Sequence, residues 1–388
     1  MVNGDFFLIW YKWLLVAVFI AAFSVQLFFY LYYYTAVIRR SRLVQKGKVA
    51  FTDAQPPVSI IVCAKNEVEN LAEFLPLILE QEYPKYEVIV INDGSTDESE
   101  FLLNKLRRDY SHLYVTYIPE DAKIISRKKL GVTIGIKAAH YDTLLFTDAD
   151  CRPLTAFWIA NMVRNFDQET DFVLGYGAYL REKSFISKLI SYDTLFIALQ
   201  YFGFAFRGKP YMGVGRNLAY KKELFYRLKG FAGILHVASG DDDLLVNEAA
   251  TKSNTRIETE AKSITLSVPK RSFFDWISQK QRHLSASQLY THKSKALLGI
   301  EPISRCIFYL TFIVLMFLLP MQFLLCLIAL FLVRYIVQLL IVNISAKKLK
   351  ERHFFLSLPF FDIILPLFTL YCMTIGKILN KEQKNAWK

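Results

Sequence analysis

Two carboxylates one residue apart close an apolar run at Leu144-Leu145-Phe146-Thr147-Asp148-Ala149-Asp150. In a β-strand, residues i and i+2 point to the same side, so Asp148 and Asp150 converge where a buried strand surfaces. Hard oxygen ligands of this kind suit Mg2+ or Mn2+, which bind one or two carboxylates together with substrate phosphates. A turn or a helix cap also uses carboxylates at a strand end. A second acidic cluster, Gly240-Asp241-Asp242-Asp243-Leu244-Leu245, sets three like charges side by side ahead of a helix-like stretch. Either it caps that helix or it supplies a base for proton abstraction.

Four further runs sit at the ends of apolar segments. Ala64-Lys65-Asn66-Glu67 follows a strand-like run, and Glu67 reads as a pocket residue or a helix cap. Asn92-Asp93-Gly94-Ser95-Thr96-Asp97 closes another; its residue types favour tight turns, and Asp97 could be an N-cap. Arg127-Lys128-Lys129 offers cations either to a diphosphate or to solvent. Gln279-Lys280-Gln281-Arg282-His283 places a planar guanidinium, suited to phosphate, near the end of the series.

Taken in order over residues 56–285, these motifs resemble the family 2 glycosyltransferases, inverting enzymes of the GT-A fold. The resemblance implies a nucleotide-diphosphate sugar donor and a divalent cation, Mn2+ or Mg2+. It implies donor contacts from Glu67 and Asp93 near the nucleoside, from Lys129 and Arg282 at the diphosphate, and from Gln279. It implies metal contact from Asp150, with Asp148 holding the ribose or a metal-bound water. The family has Glu-Asp where this chain has Asp241-Asp242, which implies Asp242 as the base, with Asp241 and Asp243 as alternates. Gly213-Val214-Gly215-Arg216-Asn217-Leu218-Ala219-Tyr220 is similar to an acceptor-side segment, or is a plain loop. His283 stands where the family has tryptophan, a stacking platform for a growing sugar chain. That departure favours transfer of one or a few sugars over long-polymer synthesis.

The elements that must position these residues follow from periodicity. Short apolar runs at 58–63, 87–91, 113–118 and 144–147 alternate with helical spacing at 68–79 and 98–106. Such βα alternation predicts an α/β fold with a doubly wound, mostly parallel sheet, whose ligands bind at the carboxyl ends of the strands. The expected catalytic unit is 58–290. Residues 185–206 are apolar but interrupted by Lys188, Asp193 and Gln200, and read either as a helix lying on a membrane or as a core helix.

The chain ends are different in kind. Residues 14–38 are apolar for long enough to cross a bilayer and lack a small-residue cleavage site, which predicts a retained anchor within 1–38. Arg39, Arg40, Arg42, Lys46 and Lys48 follow, a basic linker over 39–57 that the positive-inside rule places in the cytoplasm. Residues 306–342, broken by Pro320, predict two membrane helices, and Lys347, Lys348, Lys350 and Arg352 give a second cytoplasmic signal. In the 300–380 region a last segment, 354–378, carries Pro359, Asp362 and Pro366, and either crosses or lies in the interface.

Hydrophobic residues make up 53% of the 388, and the net charge is +12. The basic residues cluster beside the apolar segments, where anionic lipid is the nearer partner, and no zinc-finger or RNA-binding pattern points to nucleic acid. Five scattered cysteines without a CxxC pair fit reduced thiols. The expectation is an integral protein of the inner membrane with a cytoplasmic catalytic domain. Its partners would be membrane lipid, the donor, and a lipid-linked or saccharide acceptor. Alternatives are a processive polysaccharide synthase with coupled export, or an inactive transferase-like scaffold.

Overall fold

The computed structural model describes residues 2–119, 126–235, 237 and 239–379; the tail lysines Lys381, Lys384 and Lys388 lie outside them. The N-terminal apolar run forms α1 (Val2–Phe28), a π-turn at Phe29–Tyr33, and α2 (Ala36–Gln45). Next come β1 (Val58–Ala64), α3 (Val68–Leu79), β2 (Tyr86–Asn92), α4 (Ser99–Asp109), β3 (Leu113–Tyr117), α5 (Arg127–Ala138) and β4 (Thr143–Asp148). The middle of the chain adds β5 (Cys151–Pro153), α6 (Trp158–Val163), β6 (Phe172–Leu174), β7 (Gly177–Tyr179), α7 (Phe185–Phe206), β8 (Leu218–Lys221) and α8 (Lys222–Arg227). It continues through α9 (Asp243–Ala249), β9 (Thr255–Ile257), β10 (Thr265–Ser267) and α10 (Phe273–Ser287), then α11 (His292–Leu318), α12 (Met321–Lys348) and α13 (Leu358–Leu379).

The main sheet has the order β3-β2-β1-β4-β8-β6-β9. Its first four strands are parallel, and β8 runs antiparallel to both neighbours. Runs such as Val-Ser-Ile-Ile-Val-Cys-Ala in β1 are apolar on both faces because helices cover both sides of a parallel sheet. A second sheet, β5-β10-β7, holds the segment just after Asp150 against the one leading into α10. This is the GT-A architecture.

α5 lies close on the sheet through glycine. A Cβ at Gly135 would come 2.7 Å from Ile91 Cδ1 and 2.8 Å from Ile61 Cγ2. α7 is a core helix, with Leu195, Tyr201, Phe202 and Phe204 all buried, so the reading of a helix lying on a membrane surface is set aside. Gly203 lets it meet the π-turn, because a Cβ there would sit 2.7 Å from the Tyr33 carbonyl oxygen.

The expected linker over 39–57 is helical to Gln45, and its buried face (Ala36, Val37, Ile38, Ser41) packs on α7 and α12. Residues 29–37 and 341–365 belong to the same hydrophobic cluster as Ile61, Ile91 and Phe146 of the sheet. The catalytic layer and the apolar helices therefore share a core. The 306–342 run is a helical hairpin turning at Pro320, and 354–378 forms one helix with Pro366 inside it. Among the described residues four helices are long and apolar enough to cross a membrane: 10–45 with its π-turn, α7, α11 and α12.

Candidate active site

Parallel register brings the polar motifs to one edge. Cys63 of β1 pairs with Asp148 of β4, and Ala64 pairs with Asn92 of β2, so all three strands end level. The loops beyond are tied to each other. Asn66, with φ at 54°, accepts from the Thr96 amide at 2.7 Å, and the Ser95 hydroxyl accepts from the Asn66 amide at 2.9 Å. Asp97 accepts from the amides of Val68 (3.0 Å) and Ser99 (3.1 Å), so it braces two helix starts and has the capping role. Glu67 does not cap α3; its carboxylate accepts from Asn70 and is pushed up by burial and by Asp150 and Asp148, toward which it faces. Asp93 pairs with Arg127 Nε and lies 3.8 Å from Lys65 Nζ.

α5 begins with three cations in the turn where the helix dipole disfavours them. Neighbouring carboxylates offset the cost for two of the three. Consecutive residues on a helix are rotated by about 100°, and Lys128 and Lys129 accordingly part. Lys128 Nζ lies 2.9 Å from Asp148 and 3.5 Å from Asp241; against the effect of burial, those carboxylates and Asp242 hold it well above the usual lysine range. Lys129 is fully buried and donates to the carbonyls of Ile234 and Val237, both at 2.7 Å. The expectation for Lys129 at a diphosphate is thus corrected by one residue. Lys129 supports the loop leading to the acidic cluster, and Lys128 lines the cleft.

Asp148 and Asp150 have different environments. Burial raises Asp148, but Lys128, Arg216 and Arg282 outweigh it and hold the group below the usual carboxylate range. Asp150 is pushed up by burial and by Asp148 beside it. Their oxygens and Cys151 Sγ all lie within 4.8 Å of one another. Cys151 is buried, its thiol is pushed far up by burial, and it donates to Asp150 at 3.3 Å. Two close carboxylates, one with no ion-pair partner among the described residues, fit a divalent cation held by Asp150 and Asp148, with the thiol kept protonated behind them.

The acidic cluster divides three ways. Asp242 caps α9, accepting from the Asp243 amide at 2.8 Å and the Gly215 amide at 2.5 Å, so both its oxygens face backbone donors. Asp243 points inward to the Tyr290 hydroxyl at 2.7 Å, and burial with Asp242 beside it pushes its carboxyl up to about 8. Asp241 faces Asp148 across Lys128, and burial pushes it up, with Asp242 and Asp148 adding and Lys128 opposing. Lys128, Asp148, Gly215, Asp241 and Asp242 line one pocket. The resemblance implies Asp242, whose oxygens accept from two backbone amides, while Asp241 faces the cleft beside Lys128.

α10 forms the opposite wall. Gln279 donates to the Tyr179 hydroxyl at 3.4 Å, and Arg282 is exposed on the cleft side, where its charge acts on Asp148. His283 is exposed beside that arginine, and partial desolvation together with Arg282, Arg216 and Lys128 draws its imidazole down from the usual range. Asn217 is buried and holds Trp158 and the carbonyls of Tyr176 and Ser263, so its role is structural. Its neighbour Arg216, expected only as part of an acceptor-side segment or a plain loop, lies beside the acidic pair. It lies over the Tyr179 ring at 4.3 Å, its charge acts on Asp150 and Asp148, and its Nη1 is buried without a partner. The only sequence signal for it was an arginine between two residues of a glycine-rich turn.

Residues 59–228 match the family model described as Glycosyl transferase family 2. Among curated proteins, the poly-beta-1,6-N-acetyl-D-glucosamine synthase of Staphylococcus aureus (strain COL) is 30% identical over 119 residues, which cover 31% of this chain and 27% of that protein. An uncharacterized glycosyltransferase of Haemophilus influenzae is 32% identical over 133 residues, covering 32% of this chain and 37% of that one. The chain thus spans 27% and 37% of the length of these two relatives. Among solved structures, a mannosyltransferase from Pyrobaculum calidifontis in complex with GDP-Man and Mn2+ aligns with a TM-score of 0.60 at 20% identity, covering 96% of this chain and 99% of that chain. That likeness is one of fold.

Proposed function

We propose, from the match of residues 59–228 to the Glycosyl transferase family 2 model, that the protein transfers a sugar, with inversion, from a nucleotide-diphosphate donor to a lipid-linked or saccharide acceptor at a membrane face. The observation that carries this reading is the meeting of Asp148, Asp150 and Asp241 at one strand edge, with Lys128 between two of them. Glu67 and Asp93 line the nucleoside end. A divalent cation, when bound at Asp150 and Asp148, neutralises charge developing on the departing diphosphate. Arg282 and Arg216 supply further positive charge there, and Arg216 has an uncommitted donor to give. Asp241 takes the proton from the acceptor hydroxyl as its oxygen attacks the anomeric carbon, and its raised affinity for protons suits that task. No covalent enzyme intermediate is required.

The orientation proposed is cytoplasmic for the catalytic domain. Lys348 Nζ donates to Ser41 Oγ at 2.8 Å, so the basic ends of α2 and α12 lie together on the catalytic side. His283 at the cleft wall favours few transfers over processive synthesis. The test is turnover by full-length protein in lipid nanodiscs, with UDP- and GDP-sugars, Mn2+ or Mg2+, and acceptor lipids. Released nucleoside diphosphate is the readout. Metal-dependent release from one donor is expected, reduced at least about a hundredfold by Asp150→Ala and by Asp241→Asn. Release that survives Asp150→Ala would rule out the metal role assigned to it.

A further inference from the structure

The uncharged hairpin turning at Pro320 runs from 306 to 333, and charges appear immediately beyond each end. At 1.5 Å per residue its legs reach about 21 Å, short of a hydrocarbon core of about 30 Å. A hairpin that crosses the bilayer therefore carries Arg305, Arg334 and Glu301 below the membrane surface on the catalytic side. All three are buried in protein, as are Asp362 of α13 and Gln26 of α1. Arg305 pairs with Glu301 at 2.6 Å and with Asp362 at 3.0 Å; Arg334 pairs with Asp362 at 2.7 Å and donates to Gln26 at 2.9 Å. Gln338 and Tyr309 also donate to Asp362, at 2.7 and 2.5 Å. Two guanidiniums and two carboxylates balance, so the cluster is no anion site. It ties four helices together, and Asp362 is its hub.

Asp362 sits on the helix that reaches the active site. Six residues on, Phe368 stacks on Trp276 of α10, with centroids 4.7 Å apart and planes at 8°, and it also meets Phe273 at 5.6 Å. From the other side Lys280 of α10 pairs with Asp193 of α7 at 2.5 Å. α10 carries Gln279 and Arg282, so the wall of the cleft is held between the core helix and α13. Buried ion clusters are costly to desolvate and add little net stability, but breaking one strands a charge. Such a cluster is better suited to fixing one arrangement than to adding strength.

We propose that Asp362 and Arg334 are positioning residues for the transfer: the intramembrane cluster fixes α13, and α13 fixes the helix that presents Gln279 and Arg282 to the cleft. The catalytic half of this statement rests on the transferase reading, but the positional half does not. The experiment is hydrogen exchange over 273–287 in full-length protein in nanodiscs, beside kcat, KM and Mn2+ affinity. Asp362→Asn, the charge-neutral pair Arg334→Gln with Asp362→Asn, and Phe368→Ala are compared with the conservative Asp362→Glu. We expect faster exchange over 273–287 in the first three, unchanged exchange in β1 and β4, unchanged Mn2+ affinity, and a fall in kcat of about tenfold. Asp362→Glu should recover most of the loss. Phe368→Ala leaves the ion cluster intact, so it reports on α10 even where a charge variant does not fold. Wild-type exchange over 273–287 in Phe368→Ala, or in a folded charge variant, overturns the proposal. A wild-type protein that turns over no donor overturns the transferase reading alone, since the exchange measurement needs no turnover.

Discussion

At the level of single residues, the site turns on which side chain of each pair faces the cleft. Lys128→Gln is expected to lower transfer about ten- to a hundredfold with little change in stability, because it removes charge from the cleft. Lys129→Gln should instead lower stability by about 1–3 kcal/mol by leaving buried carbonyls unpaired, with the folded fraction still active. Initial rates and thermal unfolding of the two variants separate the cases. Asp148 was legible as the polar end of an apolar strand, whereas Asp150 lies in the turn just beyond β4, so it is the turn and not strand alternation that brings it beside Asp148. Which side chain of Lys128 and Lys129, or of Asp241 and Asp242, faces away from backbone partners was not legible, since a helix start and a cap decide it by rotations that residue type does not encode. Arg216 is similar, since its buried, unpaired nitrogen leaves no mark in residue type or spacing. A titration prediction belongs here as well. Glu351, buried and accepting from the Tyr176 hydroxyl at 2.9 Å, is pushed by burial from 4.5 up to about 7. Between those values the native state holds a proton that the unfolded chain has lost, so stability should fall as pH rises through that window. Glu351→Gln should flatten the fall in unfolding temperature measured from pH 4.5 to 7.

At the level of elements, close approach through glycine decides how α7 sits. Gly203→Ala would press a methyl against the backbone of Tyr33, which cannot swing aside as a side chain can. The variant should lose about 1–3 kcal/mol, seen as earlier thermal unfolding in detergent. The parallel strands were plain in the sequence because a sheet covered on both faces needs unbroken apolar runs. The strands of the second sheet were not, because three residues each are too few to show a period. α7 was ambiguous for a physical reason: its sequence is apolar nearly all round, and burial in protein and burial in lipid ask for the same composition.

For the whole molecule, the shared core overrules the modular picture that composition offers. A fragment restricted to 58–290 would expose the face of α7 that α2 and the π-turn cover, together with the face of α10 that α13 covers. Expressed alone, it should aggregate or bind a hydrophobic dye, whereas the full chain in nanodiscs should not; size exclusion with dye fluorescence checks this. Length and charge runs had marked the apolar ends correctly, but they could not reveal that those ends pack on the sheet, since side-chain packing across 300 residues leaves no local trace. That arrangement also has a consequence for how the protein is made. The segments that complete one hydrophobic cluster, 29–37 and 341–365, lie near opposite ends of the chain. During synthesis the first is in place long before the last leaves the ribosome, at about 5–20 residues per second. A nascent chain would hold the sheet's hydrophobic face half-clothed until residues 341–365 emerge and complete that cluster.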